Sequence, residues 1–345
     1  MTQTDPRPAS RTEPALFEEV RRLVAEPMRA ALDRLDPHTR KLCGYHLGLW
    51  DEDGTPGHGG GKGIRPALAL LSARAAGAPA ERGVPAAIAC ELVHNFSLVH
   101  DDVMDGDLER RHRPTVWAHF GTSSAILAGD ALLALANEVL AEAPTATSGW
   151  AVRCLNATTR RLIAGQQADL AFEDREDVGV EECLTMAGDK TGALLGCAAS
   201  LGAVLVDAPS GLALGLAEFG QHLGLAFQLV DDLLGIWGST ARTGKPVWSD
   251  LRSQKKSLPV VAALASGTPA AERFRALYCG EAALTEDRLE EAAALIEEAG
   301  GRRWAEQRAA EESDAALGLL NELGLPAAVR RDLTELTRLL IGRDH

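Results

Sequence analysis

ELVHNFSLVHDDVMD, residues 91–105, decides how the rest of the chain is read. Together with Ile88, the apolar residues Leu92, Phe96, Val99 and Val103 recur at three- and four-residue steps, the spacing of a helix that packs one stripe against a core. A second stripe is polar: His94, Ser97, Asp101 and Asp105 stack along one wall, so Asp101 and Asp105 can reach one cation together. Three aspartates at a helix C-terminus oppose the helix dipole, so a plain solvated acidic end is the weaker reading of them.

GLAFQLVDDLLG, residues 224–235, repeats the pattern. Gln221, Gly224, Gln228, Asp231 and Gly235 share a stripe, with Phe227, Val230 and Leu234 behind it and Gly224 leaving room beside the polar groups. Carboxylates inside apolar helices cost several kcal/mol unless something pairs with them. The two clusters therefore read as halves of one divided magnesium site, since magnesium takes oxygen ligands and is held by one or two carboxylates plus substrate phosphates. Asp231 is expected as the main ligand of the second wall and Asp232 as an outer-shell helper, with Gly235 making that wall the poorer.

Alanine, leucine and glutamate are abundant and aromatic residues make up only 4%, which favours an all-α protein over a sheet. A formal charge of −14 argues against nucleic-acid or anionic-membrane binding. An anionic substrate must then be held by local Lys, Arg and metal. Six scattered cysteines without a CxxC spacing fit reduced thiols, and hence a cytoplasmic protein. No apolar run approaches the roughly 20 uncharged residues of a membrane span, and the first residues lack a signal-peptide core.

Residues 1–14 are polar and contain proline, so a disordered lead-in is expected there, with one helical domain over 15–345. Breaks at 51–63, 143–149, 174–179, 209–211, 238–250, 267–269 and 323–326 divide it into ten to thirteen helices, and strand-like alternation is absent. The first break, DEDGTPGHGGGKG, delivers Lys62 and Arg65 to a helix start, since Pro66 suits a first turn. Basic residues also follow each acidic cluster: Arg110 and Arg111 after the first, Lys245, Lys255 and Lys256 after the second. Recognition of a diphosphate through metal and cations needs that order.

The runs GGGKGIRP (59–66), ELVHNFSLVHDDVMD (91–105), ERRHRPT (109–115), ILAGDALL (126–133), GDKTGALLG (188–196), GLAFQLVDDLLG (224–235), TGKPVWSDL (243–251) and KKSLP (255–259) resemble the trans-isoprenyl diphosphate synthases. The resemblance covers roughly residues 15–340 and is most like a bacterial geranylgeranyl diphosphate synthase. It implies the isoprenoid synthase fold, a helical bundle around a deep central cavity, assembled as a homodimer. By that resemblance Asp101, Asp102, Asp105, Asp231 and Asp232 bind Mg2+; Lys62, Arg65, His94 and Arg111 form the isopentenyl diphosphate pocket. Arg110, Lys190, Thr191, Gln228, Lys245 and Lys255 hold the allylic diphosphate, and Gln166 and Asp169 line the same cavity.

The implied reaction ionises an allylic diphosphate and lets the alkene of isopentenyl diphosphate attack before a proton is lost. The catalytic weight falls on Asp101, Asp102, Asp105, Asp231, Arg110, Lys190 and Lys245. No nucleophilic side chain is needed, and apolar walls shield the cation from water. Two positions depart from the family pattern: Gly63 stands at the first Arg of GGKRxRP, and Gly235 replaces the last Asp of the second motif. Phe96 and Ser97 lie about one turn below Asp101, where a growing tail descends, and that arrangement favours geranylgeranyl over farnesyl diphosphate. Ordinary core packing of Phe96 is the plainer alternative. A terpene cyclase on the same scaffold and a non-catalytic partner or cargo subunit are the rival functions. Lys62, Arg65, His94 and Arg111 speak against the cyclase, and the intact Asp101–Asp105 run with Lys190 and Thr191 against the partner.

Overall fold

The computed structural model describes residues 15–57, 61, 63–238, 247–279 and 284–342. The expected disordered lead-in at 1–14 therefore lies outside the described residues. The described residues form sixteen α-helices. In order they are α1 (Ala15–Leu32), α2 (Pro37–His46), α3 (Ile64–Ala75), α4 (Val84–Met104), α5 (Val116–Phe120), α6 (Thr122–Ala141), α7 (Ser148–Glu173) and α8 (Val180–Ala187). There follow α9 (Ala193–Leu205), α10 (Ser210–Trp237), α11 (Ser249–Arg252), α12 (Leu258–Ala265), α13 (Pro269–Tyr278), α14 (Glu286–Glu298), α15 (Gly301–Glu322) and α16 (Ala327–Ile341). Ten to thirteen were expected. The excess comes from two very short helices, α5 and α11, and from a π-helical segment, Gly188–Gly192, that divides one rod into α8 and α9.

Helix starts follow local chemistry. Asp36 caps α2 by accepting from the backbone N–H groups of His38 and Thr39, with Pro37 in the first turn. Thr268 caps α13 through the N–H of Ala271, with Pro269 behind it. Pro66 sits in the first turn of α3, as its sequence position implies.

Helices α3, α4, α6, α7, α9 and α10 pack on one another and bury the largest apolar cluster, including Leu68, Leu71, Leu92, Leu132, Leu155, Leu201 and Phe219. A second cluster joins α11–α14 to the end of α10 through Ile236, Leu251, Val260, Phe274, Leu289 and Ile296. Buried Glu312 of α15 is paired twice, with His222 of α10 at 2.6 Å and Arg308 at 2.7 Å. Such pairing is what a buried carboxylate requires.

The expectation of no strand needs one correction. Glu109–Arg110 and Arg113–Pro114 pair as a minimal antiparallel hairpin, too short to leave an alternating pattern. Helix α6 is the one described helix long and apolar enough to cross a membrane by length and composition. It carries Asp130 and Glu138, and its inner face, Ala125, Ala128, Gly129 and Leu132, is packed inside the protein.

Candidate active site

Helix α4 ends in the first acidic cluster. Asp105 is its C-cap and donates its backbone N–H to the Asp101 carbonyl. Burial raises the Asp101 carboxyl to about 6 against the pull of Lys190, and burial raises Asp105 as well, opposed by Lys190 and Lys255. Asp102, rotated about 100° around the helix, is buried, and Arg110 Nε donates to its Oδ1 at 2.7 Å. Its Oδ2 is also buried and takes no hydrogen bond.

Arg110 and Arg111 are aimed by the hairpin. Arg111 and His112 form its two-residue turn with φ of 53° and 61°. Both values lie in the left-handed region, the type I′ geometry that Asn-Gly adopts without strain and bulkier residues do not. The turn brings Arg111 beside Gly61, where an added Cβ would stand 3.4 Å from a guanidinium nitrogen. A cavity of about 240 Å³ opens here, lined by Tyr45, His46, Asp102, Arg110, Arg111 and Arg113. Arg65, at the start of α3, buries an unpartnered Nε in the same charged neighbourhood, and Glu91 faces both Arg65 and Arg111. Burial first, then Arg65 and Arg111, hold His94 well below the usual imidazole range, so it is neutral.

Lys62 lies outside the described residues. Gly63, the N-cap of α3, has φ of 64°, and a Cβ there would press on Val20 at 3.3 Å. An arginine at this position would be strained, which gives the departure from GGKRxRP a backbone cause.

His46 was not singled out by its sequence. Burial, Arg110 and Arg111 lower its pKa to about 3, and its Nε2 is buried with no hydrogen-bond partner. A Tyr-His pair at a helix end carries no signal that would have found it.

The second wall is a hydrogen-bonded chain. The π-helical segment presents Lys190 and Thr191; Lys190 Nζ donates to Asp169 Oδ2 at 2.5 Å, and Thr191 Oγ1 donates to Gln228 Oε1 at 2.7 Å. Gln228 Nε2 donates in turn to Asp232 Oδ1 at 2.8 Å, and the other oxygen of Asp232 accepts from the N–H of Leu258 at 2.9 Å. Burial raises Asp232 to about 6, against the pull of Lys255. Asp232 is thus tied into the scaffold, while Asp231 lies exposed on α10. Gln166 is buried with both amide ends unpartnered.

Gly224 does not leave room beside the polar groups, as its stripe suggested. A Cβ there would stand 2.6 Å from Gly192 Cα, so its space is taken by the backbone of the π-helical segment.

Lys255 joins the walls. Burial alone would lower its pKa, but Asp232, Asp169, Asp250 and Asp231 together hold it above the ordinary lysine value. Since Asp105 also feels Lys255, this one ammonium group acts on acidic residues of both α4 and α10, while Lys190 acts on Asp101 and Asp105 and is bonded to Asp169 of α7. Lys245 lies outside the described residues.

No three His, Cys, Asp or Glu side chains among the described residues could hold a metal ion by themselves. The donors fit magnesium nonetheless: they are carboxylate oxygens, one of them the buried, unpartnered Asp102 Oδ2. Magnesium completes its shell with water and substrate phosphate oxygens.

Phe96 is buried in the main core with its ring edge-on to His100, centroids 5.0 Å apart. His100 Nε2 lies 3.0 Å from the Ile126 carbonyl of α6. Ser97 turns its hydroxyl back to the His94 carbonyl at 2.8 Å.

Residues 57–296 match the polyprenyl synthetase family model. The chain is 48% identical over 325 residues to the (2E,6E)-farnesyl diphosphate synthase of Mycobacterium tuberculosis, covering 93% of this chain and 90% of that one. It is 43% identical over 333 residues to the geranylgeranyl diphosphate synthase of the same bacterium, covering 96% and 94%. A crystal structure of a polyprenyl synthetase from Streptomyces coelicolor A3(2) superposes with a TM-score of 0.91 at 51% identity, covering 95% and 99%.

Proposed function

The chain belongs to the polyprenyl synthetase family, the trans-isoprenyl diphosphate synthases, and from that premise we propose a specific reaction. It condenses isopentenyl diphosphate with an allylic diphosphate to give a short-chain all-trans prenyl diphosphate. Lys190, Lys255, Arg110, Thr191 and Gln228 bind the allylic diphosphate, joined by Lys245. Arg65, Arg111, neutral His94 and Lys62 hold isopentenyl diphosphate. Magnesium held by Asp101, Asp105 and Asp231, with Asp102 and Asp232 behind them, supplies positive charge to the leaving group.

The allylic C–O bond breaks with both electrons leaving on the diphosphate, and fixed cations stabilise the charge that develops there. The alkene of isopentenyl diphosphate then attacks the allylic carbon. A proton is lost afterwards, the released diphosphate being its acceptor. Neutral His94 and the guanidinium groups of Arg65 and Arg111 keep the second diphosphate anchored, since none of them needs to change charge.

The observation that carries this reading is the charge arrangement. Lys255 acts on both acidic clusters and Lys190 on the first, while Arg110, bonded to Asp102, adjoins a second cationic group around Arg65 and Arg111. A cyclase has no use for that second anion pocket. The test is incubation of the purified protein with magnesium, isopentenyl diphosphate and dimethylallyl, geranyl or farnesyl diphosphate in turn. Condensed diphosphates are the expected products; cyclised hydrocarbons from an allylic diphosphate alone would establish the cyclase instead. Asp231→Ala should slow condensation by about 100-fold or more, and a wild-type rate would sink the divided site.

For the product we favour geranylgeranyl diphosphate, on the single aromatic Phe96 below the first motif with small Ser97 beside it. The farnesyl reading draws support from the 48% identity to a farnesyl diphosphate synthase. Exposed Ile126 and Leu127 on α6 with Trp150 and Ile163 on α7 support a homodimer built on those helices. Six free cysteines, four of them buried, support a cytoplasmic location.

A further inference from the structure

The hairpin that carries Arg110 and Arg111 has too little structure to hold itself. Each strand is two residues long, and both turn residues sit in the left-handed region. A hairpin of that size is marginal in water, and a strained turn persists only where surrounding contacts fix it. At the base, Thr115 Oγ1 and Trp117 Nε1 both donate to the Asp107 carbonyl at 2.8 Å. Nearer the turn, the contacts come from the end of α2. The Tyr45 hydroxyl donates to the Pro114 carbonyl at 2.8 Å, and the Arg113 guanidinium lies over the Tyr45 ring, 4.3 Å from its centroid. Arg113 Nη1 donates to the Tyr45 carbonyl at 3.3 Å; its Nη2 donates to the Trp50 carbonyl at 3.2 Å and meets Asp51 Oδ1 at 3.0 Å.

Arg110, Arg111 and Arg113 line one cavity, but their situations differ. Arg110 is tied to Asp102, Arg113 is bonded to α2 and the segment after it, and Arg111 stands exposed at the turn. Arg110 and Arg113 are directly opposite in the ladder, where like charges repel, and each is answered by a carboxylate of its own. Asp51 is half exposed, so that ion pair alone holds little. The grip lies in the fork on two carbonyls with the Tyr45 ring beneath it. Trp50 and Asp51 also open the stretch that returns to the Arg111 guanidinium at Gly61 and leads on to Arg65. One side chain thus fastens the two segments that meet around Arg111.

Resting on the isopentenyl diphosphate pocket proposed above, we propose that Arg113 is a positioning residue for that substrate, fastening the hairpin to the end of α2 and so setting Arg111. Both of its terminal nitrogens are taken by protein oxygens, so it acts through Arg111 and not by binding the anion. Arg110 keeps its own anchor on Asp102, so the allylic diphosphate is held as before.

The test is steady-state kinetics of the full-length protein with each substrate varied in turn. Arg113→Met keeps the length of the side chain and removes the fork. KM for isopentenyl diphosphate should rise by about 10- to 100-fold, the scale of loss when a positioned group shifts by about an ångström, while KM for the allylic diphosphate stays near wild type. Arg113→Lys keeps the charge but cannot span two carbonyls, and should show the same split by a smaller factor. Arg111→Met raises the same KM by itself. Adding Arg113→Met to it should cost little more, because the group that Arg113 sets is already gone. Thermal melts show which variants fold, and Arg113→Lys carries the test if Arg113→Met does not.

Equal rises in both KM values, or a double variant whose loss is the product of the two single losses, would overturn the proposal and leave Arg113 a brace of the fold. Arg111→Met separates the two levels. If it raises KM for isopentenyl diphosphate while the Arg113 variants do not, only the role of Arg113 falls; if it leaves that KM at wild type, the pocket itself falls.

Discussion

His46 illustrates how one side chain reports on the electrostatics of the whole anion pocket. Imidazole ordinarily titrates near 6.5, and burial beside Arg110 and Arg111 holds His46 to about 3. Between those values the unfolded chain binds a proton that the folded chain refuses. Stability from this group is therefore present above 6.5 and lost as pH falls, by about 1.4 kcal/mol per pH unit. The raised carboxyls of Asp101, Asp102 and Asp232, each near 6, pull the opposite way, because the folded state binds their protons more tightly. Comparing His46→Gln with wild type isolates the histidine: metal-free melts between pH 7 and pH 5 should show the variant losing less stability on acidification. Parallel slopes would mean that the pocket does not hold His46 neutral. Phe96 calls for a different measurement. Its ring fills space in the main core beside His100, one turn further along α4, so Phe96→Ala should lengthen the products by at least one five-carbon unit, at a stability cost of about 3 kcal/mol. An unchanged product distribution would leave Phe96 as core packing only.

At the scale of elements, the hairpin at 109–114 separates backbone strain from charge. His112→Gly relieves a left-handed residue that makes no part of the proposed pocket, and should stabilise the protein by about 1 kcal/mol with condensation intact. Arg111→Gly relieves the same kind of strain but removes a cation, so KM for isopentenyl diphosphate should rise at least about tenfold while stability holds. Steady-state kinetics beside thermal melts distinguish the two; equal kinetic losses in both would mean that the turn geometry matters more than the guanidinium. This hairpin also marks the limit of what the sequence made legible. The long helices announced themselves because Leu92, Phe96, Val99 and Val103 repeat at helical spacing, and the break positions carry Gly, Pro or Asp. A hairpin of two-residue strands has no period to read. The π-helical segment was hidden for a related reason: GDKTG continues a helical pattern, and only the close approach of Gly192 to Gly224 shows that the rod has bulged. Within the candidate site, Asp101, Asp105, Lys190 and Gln228 could be named from motifs. The bonds of Asp102 to Arg110 and of Asp232 to the N–H of Leu258, and the seat of Asp250 beside Gly235, depend on how distant segments fold together.

At the scale of the molecule, α6 is apolar on both faces although only one face meets the core. Ala125, Ala128, Gly129, Leu132, Leu135 and Ala136 are buried, while Ile126 and Leu127 stand 44% and 63% exposed on the outside. Trp150 and Ile163 of the neighbouring α7 are exposed as well, at 55% and 50%. Four large apolar side chains on two adjacent helices are more than scattered surface hydrophobics, and covering them with the same face of a second copy would bury each one twice over a two-fold axis. Such a contact bears on the proposed active site. Asp101 and Asp102 end α4, α4 packs along α6, and His100 leans on the α6 backbone at Ile126, so a partner holding α6 rigid also holds the floor below the first motif. Leu127→Glu would place an unpaired charge in the buried centre of that interface, at a cost of about 1–3 kcal/mol per copy, or roughly a 10- to 100-fold weaker dimer for one copy's share. Sedimentation across a concentration series should show wild type as a dimer and the variant shifted toward monomer, with condensation activity per subunit falling at the concentrations where monomer appears. A variant that sediments with wild type would remove α6 from the interface; one that dissociates with undiminished activity would show that the partner does nothing to the floor.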